Sequence, residues 1–438
     1  MQTKVVKFGG SSLADAAQFK KVADIVLAEK ARRFVIPSAP GKRFSEDVKV
    51  TDMLYGCYEK ASHGENFNEA FDAIKTRYNQ IIVDLGLDLS LEEEFSDIRQ
   101  HFKGKAGRDY AASRGEYLNG IILAKYLGFS FLDPAEAIFF NEQGVFDMER
   151  TNRVLGQKLS SLENAVIPGF YGAMPNDTIK TFSRGGSDIT GSIVARAASA
   201  EIYENWTDVS GFLIADPRIV KEPEAITTIT YRELRELSYM GATVLHEDAI
   251  FPVRTAGIPI NIRNTNDPSA PGTMIVAKTA EPAAHVITGI AGKKGFSVIN
   301  VEKDMMNSEL GFGRKLLEVI ESNGISFEHL PSGIDTMSVI VSTASLDGKE
   351  EAIRQGIHKD CNADHIEIEH DLALIAIVGR GMKSTRGTAA RIFAALAHAH
   401  INIKMIDQGS SELNIIVGVD AADFEEATRV IYDIFVLG

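Results

Sequence analysis

Lys4–Phe8 (KVVKF) is a short β-rich run, followed at once by Gly9-Gly10-Ser11-Ser12. Phe19, Val22, Ala23, Val26 and Leu27 then share one helical face, and Phe34-Val35-Ile36 reads as a buried strand. Strand, glycine turn, helix and strand make a βαβ unit, whose ligands collect at the carboxyl ends of its strands. Lys42–Val50 is charged and polar and predicts a mobile loop, and Thr51-Asp52 precede a helix through Met53, Leu54 and Tyr58. Asn68–Leu87 and Leu91–Phe102 predict a helical hairpin inserted outside the sheet. Ser113-Arg114-Gly115-Glu116 predicts the first turn of another helix, with Leu118, Ile121, Ile122 and Tyr126 behind it. Strands follow at Phe129–Leu132, Ala165–Pro168 and Glu201–Trp206, and a helix at Tyr231–Leu237. Ile258–Asn264 reads as the last strand before a polar loop, which sets a domain end near residue 285.

Beyond that point the chain aligns with itself at an offset of 76. Gly324–Phe327 matches His400–Ile403, Met337–Val341 matches Leu413–Val417, and Gly333 falls on Gly409. Leu316, Leu317 and Ile320 fall on Ile392, Phe393 and Leu396, and Met306 and Ser308 on Met382 and Ser384. Agreement across strand, helix and glycine positions marks a duplication. Each copy reads as a ferredoxin-like βαββαβ module, and the two are expected in tandem over 286–369 and 370–438.

A net charge of −14 argues against a broad nucleic-acid or anionic-membrane surface. Cys57 and Cys361 form neither a disulfide framework nor a zinc pattern, and the start, MQTKVVKFGG, has no signal-peptide core. No apolar run reaches membrane-spanning length. A soluble cytoplasmic protein without nucleic-acid or membrane partners is expected.

The richest chemistry lies in Thr181–Gly191, TFSRGGSDITG. Gly185 and Gly186 permit close ligand approach, Arg184 can grip a carboxylate with two parallel hydrogen bonds, and Ser187 and Asp188 stand where a helix begins. Lys7 ends the first strand beside the glycine turn, where an ammonium can balance charge on a transferring phosphoryl group. Neither a Walker A loop nor a G-x-G-x-x-G fingerprint is present. Glu116 reads either as an acid favoured by a helix dipole or as a carboxylate that binds a substrate ammonium. Asp208 and Arg218 could meet a nucleotide or each other.

Lys7–Ser12, Ser183–Thr190 and Thr207–Arg218 occur in this order ahead of the repeated modules. Together they resemble the aspartokinases, over nearly the whole chain. The resemblance implies an α/β catalytic domain over 1–285, an αβα sandwich with a mainly parallel sheet (the amino-acid kinase fold). Two ACT domains would follow. It implies transfer of the γ-phosphoryl of ATP, with Mg²⁺, to the side-chain carboxylate of L-aspartate. By resemblance, Lys7 is the transition-state cation and Asp188 orients it. Gly9 and Gly10 offer N–H groups to phosphate. Arg184 clamps the α-carboxylate and Glu116 the α-ammonium, while Ser11, Thr51 and Ser187 bind substrate. Thr207 and Asp208 hold adenosine, and Arg218 a phosphate. No protein metal site is expected.

Three positions depart from the family pattern near the nucleotide. Thr243 stands where lysine is usual, Glu247 where proline is common, and Leu213 where an aromatic residue often stacks. The paired modules imply amino-acid feedback. Met306, Ser308, Glu328, Ser332, Gly333 and Asp335 would line the first effector site, with Gln408, Gly409 and Ser410 in the equivalent place of the second. Lysine is the expected effector, with threonine second, because Glu328 or Asp335 could meet an ε-ammonium. A homodimer or dimer of dimers is expected through the modules. The competing readings are a kinase for another amino acid or nucleotide, and a catalytically idle amino-acid sensor.

Overall fold

Val5, Val6 and Phe8 are fully buried, so β1 (Lys4–Phe8) lies inside a sheet and not at its edge. The computed structural model describes residues 2–183, 185–242, 245, 247–279 and 284–438. They fall into two units. The first is Met1–Phe212, Ala225–Tyr231 and Val244–Thr279; the second is Leu213–Glu224, Arg232–Thr243 and Ala280–Gly438. Two stretches within 1–285 therefore group with the repeated modules.

In the first unit, α1 (Ala16–Leu27) starts at Asp15, whose carboxylate accepts the Gln18 N–H at 3.0 Å. Phe19, Val22, Ala23 and Val26 are buried, but Leu27 is 60% exposed and lies off the expected face. After β2 (Arg32–Pro37) come α2 (Val50–Ser62), α3 (Asn68–Asp84), α4 (Glu92–Lys103) and α5 (Arg108–Leu127). Next are β3 (Ser130–Phe131), α6 (Met148–Ser160), β4 (Ala165–Val166), a hairpin of β5 (Tyr171–Ala173) and β6 (Ile179–Thr181), α7 (Gly186–Ala197) and β7 (Ile202–Thr207). The unit ends with β8 (Thr228–Thr230), α9 (Glu247–Ala256), β9 (Ile260–Asn264) and β10 (Thr273–Val276); α8 (Tyr231–Tyr239) continues into the second unit. The sheet order is β3-β4-β2-β1-β7-β9-β10-β8, parallel throughout except β9 with β10. Helices α1–α5 pack among themselves, and α6, α7 and α9 form a second group, giving the αβα layering.

Three local expectations are corrected. Ile258–Asn264 does not contain the last strand, because β10 follows it and pairs back antiparallel. Segment 42–50 is tied down. Asp47 meets Arg43 at 2.8 Å and Arg77 at 3.2 Å, and Arg77 also donates to the carbonyls of Val48 and Gly41. The Arg43 hydrogen bonds hold the Asp47 carboxyl well below the usual range. Helix α5 begins at Arg108, so Glu116 lies well past its first turn. The burial of Glu116, not a dipole, governs its chemistry.

The second unit carries a six-stranded antiparallel sheet, ordered β12-β13-β11-β14-β16-β15. The first module supplies β11 (Gly289–Glu302), α10 (Phe312–Ser322), β12 (Phe327–His329), β13 (Thr336–Ser342) and α11 (Glu350–Cys361). Then come β14 (His365–Val378), α12 (Thr388–His398), β15 (Met405–Asp407), β16 (Asn414–Asp420) and α13 (Phe424–Tyr432). The registers show that the copies are interleaved, not laid end to end. Residues 296–302 of β11 pair with β13, whereas residues 289–294 pair only with 373–378 of β14, which in turn pair with β16. Each long strand thus serves both modules, with Gly295 and Asp371 at positive φ between the halves.

Candidate active site and effector loops

The carboxyl ends of β1, β2 and β7 converge because glycines let backbones touch. A Cβ on Gly10 would meet the Ala39 carbonyl oxygen at 2.9 Å, and one on Gly115 would meet the Ala39 Cβ at 2.7 Å. A Cβ on Gly169 would meet Ser187 at 2.6 Å. Side chains at these points would push α5 and α7 away from the strand ends.

Lys7 and Asp188 meet, Nζ to Oδ1 at 2.6 Å, with side chains 10% and 17% exposed. Asp188 sits in the first turn of α7, which Gly185 enters in the left-handed region at φ 57°. Ser187 is buried beside Gly169, Ser11 is exposed in the turn after β1, and Thr51 is half-buried at the start of α2. Arg184 lies outside the described residues, as do Thr243 and the side chain of Glu247. The Gly9 N–H donates to the Trp206 carbonyl at 3.0 Å.

Glu116 is 5% exposed, and its Oε2 has no hydrogen-bond partner. Burial pushes its carboxyl up to about 8, against the opposing pull of an Ala39 N–H bond. Such a group gains a great deal from a cation brought to it.

At the end of β7, Thr207 donates to Asp208 at 3.2 Å. Arg218 belongs to the second unit, where it pairs with Asp216 at 2.5 Å. Leu213, 38% exposed, is in the same segment. Among the described residues no three His, Cys, Asp or Glu side chains gather as a metal cage.

Sequence reading missed two residues. Phe170 holds φ 83°, a conformation that costs a non-glycine residue roughly 1–3 kcal/mol. Its N–H donates to Thr190 Oγ1 and its carbonyl accepts from Phe182, both at 2.9 Å. Phe170 lines a cavity of about 480 Å³ with Tyr55, Arg108, Asp109, Lys180 and Ser183. Its place after Gly169 in a glycine-rich turn was the available signal. Asn205 is 3% exposed; its Nδ2 donates to Asp188 Oδ1 at 2.8 Å, and its Oδ1 lies 3.5 Å from Lys7 Nζ.

In the first module, Met306 is buried and Ser308 Oγ donates to the Met305 carbonyl at 2.8 Å. Asp335 accepts the Met305 N–H at 2.9 Å, and Asn307 N–H donates to the Ile334 carbonyl at 3.0 Å, which brings this turn against Ser332–Asp335. The Gly333 N–H is taken by the Thr336 carbonyl at 2.7 Å. Glu328 accepts a hydrogen bond from Tyr239. In the second module, Gln408, Gly409 and Ser410 are exposed. Its turn at Arg380–Ser384, equivalent to 304–308, receives Glu233 of α8. Glu233 is fully buried, accepts Arg380 N–H at 2.9 Å and Thr288 Oγ1–H at 2.6 Å, and pairs with the Arg380 guanidinium at 3.1 Å.

A profile of the amino acid kinase family matches residues 2–264, and an ACT domain profile matches residues 375–435. Aspartokinase 3 of Bacillus subtilis is 40% identical, covering 99% of each chain. The aspartate kinase structure of Clostridium acetobutylicum, described as an allosteric enzyme, is 52% identical with a TM-score of 0.92, covering 99% of this chain and 100% of that one. Aspartokinase III of E. coli in complex with lysine and aspartate is 25% identical with a TM-score of 0.76, covering 99% of each.

Proposed function

The chain belongs to the aspartokinases of the amino acid kinase family and phosphorylates the side-chain carboxylate of L-aspartate with ATP; from that premise we propose how its residues divide the work. The pairing of Lys7 with Asp188 at 2.6 Å, at the end of β1 beside the glycine turn, carries the reading. A carboxylate oxygen of aspartate attacks the γ-phosphorus as the bond to the ADP oxygen breaks. Charge spreads over the transferring oxygens, and Lys7 meets it. The acceptor is already ionised, so no general base is needed, and Asp188 organises Lys7 instead. Glu116 takes the α-ammonium and Arg184 the α-carboxylate, with Ser11, Thr51 and Ser187 as further substrate contacts. Gly10 faces phosphate, Thr207 and Asp208 the adenosine, and Arg218 a phosphate once released from Asp216. When bound, Mg²⁺ neutralises phosphate charge.

Lysine, ahead of threonine, is the proposed effector. Asp335, bonded to the Met305 N–H, and Glu328 on β12 would supply carboxylates for an ε-ammonium. We assign the bulk of the first module to 286–369 and of the second to 370–438, with residues 289–294 of β11 completing the sheet of the second and 365–369 of β14 that of the first. Association through the modules as a homodimer or dimer of dimers is supported by Phe327 and Ile406, 43% and 49% exposed on the two edge strands. No described helix is long and apolar enough to cross a membrane, which supports a cytoplasmic enzyme.

The test is the initial rate of aspartate phosphorylation for the wild type and for Lys7→Ala and Asp188→Ala. Both variants should fold and lose about 10³-fold or more in kcat. Retained turnover in either would overturn the assigned roles. Lysine should suppress wild-type turnover, and indifference to it would remove the effector assignment alone.

A further inference from the structure

Along β7 the side chains alternate between the two faces of the sheet. Tyr203 and Asn205 face α7, while Glu204 and Trp206 face the other layer, where Glu204 pairs with Arg32 at 2.9 Å. Both α7-facing residues bind Asp188: Tyr203 OH donates to its carbonyl at 3.2 Å, and Asn205 Nδ2 to its Oδ1 at 2.8 Å. The β1–β7 register sets Lys7 directly opposite Asn205. The amide orientation is determined by charge, since the reverse would face oxygen to carboxylate and NH₂ to ammonium.

We propose that Asn205 is a positioning residue for phosphoryl transfer, anchoring the Asp188 carboxylate while the Lys7 ammonium is shared with the transferring group. The inference rests on the roles proposed above for Lys7 and Asp188. In the resting site Lys7 and Asn205 both contact Asp188 Oδ1. When Lys7 turns toward developing phosphoryl charge, its hold on Asp188 weakens. The carboxylate would then swing after the ammonium or be left poorly solvated. A neutral donor that stays on the same carboxylate oxygen prevents both, because it stabilises the carboxylate without competing for the phosphate. Asn205, 3% exposed and fixed in the strand, keeps that bond through the reaction.

Two variants separate this role from a purely structural one. Asn205→Leu keeps the branching and the number of side-chain heavy atoms and removes both hydrogen bonds. It should lower kcat about 10- to 30-fold, with KM for aspartate and ATP within about threefold, and move the acid limb of the kcat profile to higher pH. Asn205→Asp sets a carboxylate against a carboxylate. Its kcat should fall about 100-fold at pH 8 and recover toward wild type as pH drops to 6, because the protonated side chain can again donate to Asp188. Recovery with falling pH, at a Tm matched to wild type, supports positioning even if Asn205→Leu fails to fold. An Asn205→Leu enzyme within twofold of wild-type kcat, or an Asn205→Asp enzyme without recovery, overturns it. The Lys7→Ala control separates the failures. Turnover surviving that change removes the whole site reading. A dead Lys7→Ala beside a fully active Asn205→Leu removes only the inference.

Discussion

Glu116 and Glu233 are both buried glutamates on helices, one in each unit, and their surroundings are opposite. Glu233 is enclosed by partners: the Arg380 guanidinium and N–H, and the Thr288 hydroxyl. Glu116 has the Ala39 N–H bond, an orphaned Oε2, and burial that pushes its carboxyl up to about 8. A buried acid supplied with a cation is part of the architecture. A buried acid without one stores an unmet demand that a ligand can fill. The same contrast separates the repeated modules. The turn of the second is filled by α8, whereas that of the first is tied by the Asp335 and Asp364 carboxylates and by backbone bonds.

The largest expected effect is on Glu233. Glu233→Ala leaves Arg380 facing a vacated site and should destabilise the fold by about 2–3 kcal/mol, below the full buried-pair penalty because the arginine is partly exposed. Denaturant unfolding measures this, and a loss under about 0.5 kcal/mol would erase the contrast. Next, Glu116→Gln should raise KM for aspartate about 30-fold while Glu233→Gln leaves it near wild type; equal effects would show that partnering does not distinguish the two. The pH dependence is the finest test. Raised from 4.5 to about 8, the Glu116 carboxyl contributes stability that is full below 4.5 and is lost as pH rises through about 8. Glu116→Gln should therefore gain in Tm relative to wild type between pH 5 and 8.5. Aspartate binding should release a proton at pH 7, with affinity rising up to about tenfold per unit and levelling above pH 8. Calorimetry in buffers of different ionisation enthalpy reads that proton, and its absence would place the ammonium elsewhere.

Much of this was legible in the chain. Lys7, the glycine turn and the start of α7 follow from local pattern, and their meeting follows from the rule that parallel strands deliver ligands to their carboxyl ends. The start of α5 did not. Gly115 looks like punctuation, yet it is mid-helix because only a glycine clears the Ala39 Cβ, across a distance in sequence that no local pattern spans. Asn205 was hidden for a related reason. Alternation shows that residues 203 and 205 share a face, but not that α7 covers it. Segment 42–50 reads as mobile because Arg77, which anchors it, lies on a later helix. The sharing of β11 and β14 is invisible to a repeat offset, which is the same for tandem and interleaved copies.

That shared pair of strands constrains how the polypeptide can be made. Residues 289–294 have no sheet partner until residues 373–378 have been synthesised, so the earlier strand half must wait with its edge open while the first module folds ahead of it. The second module is thus begun first and finished last. A cut between residues 369 and 370 would not free two domains but would divide one of them across both fragments.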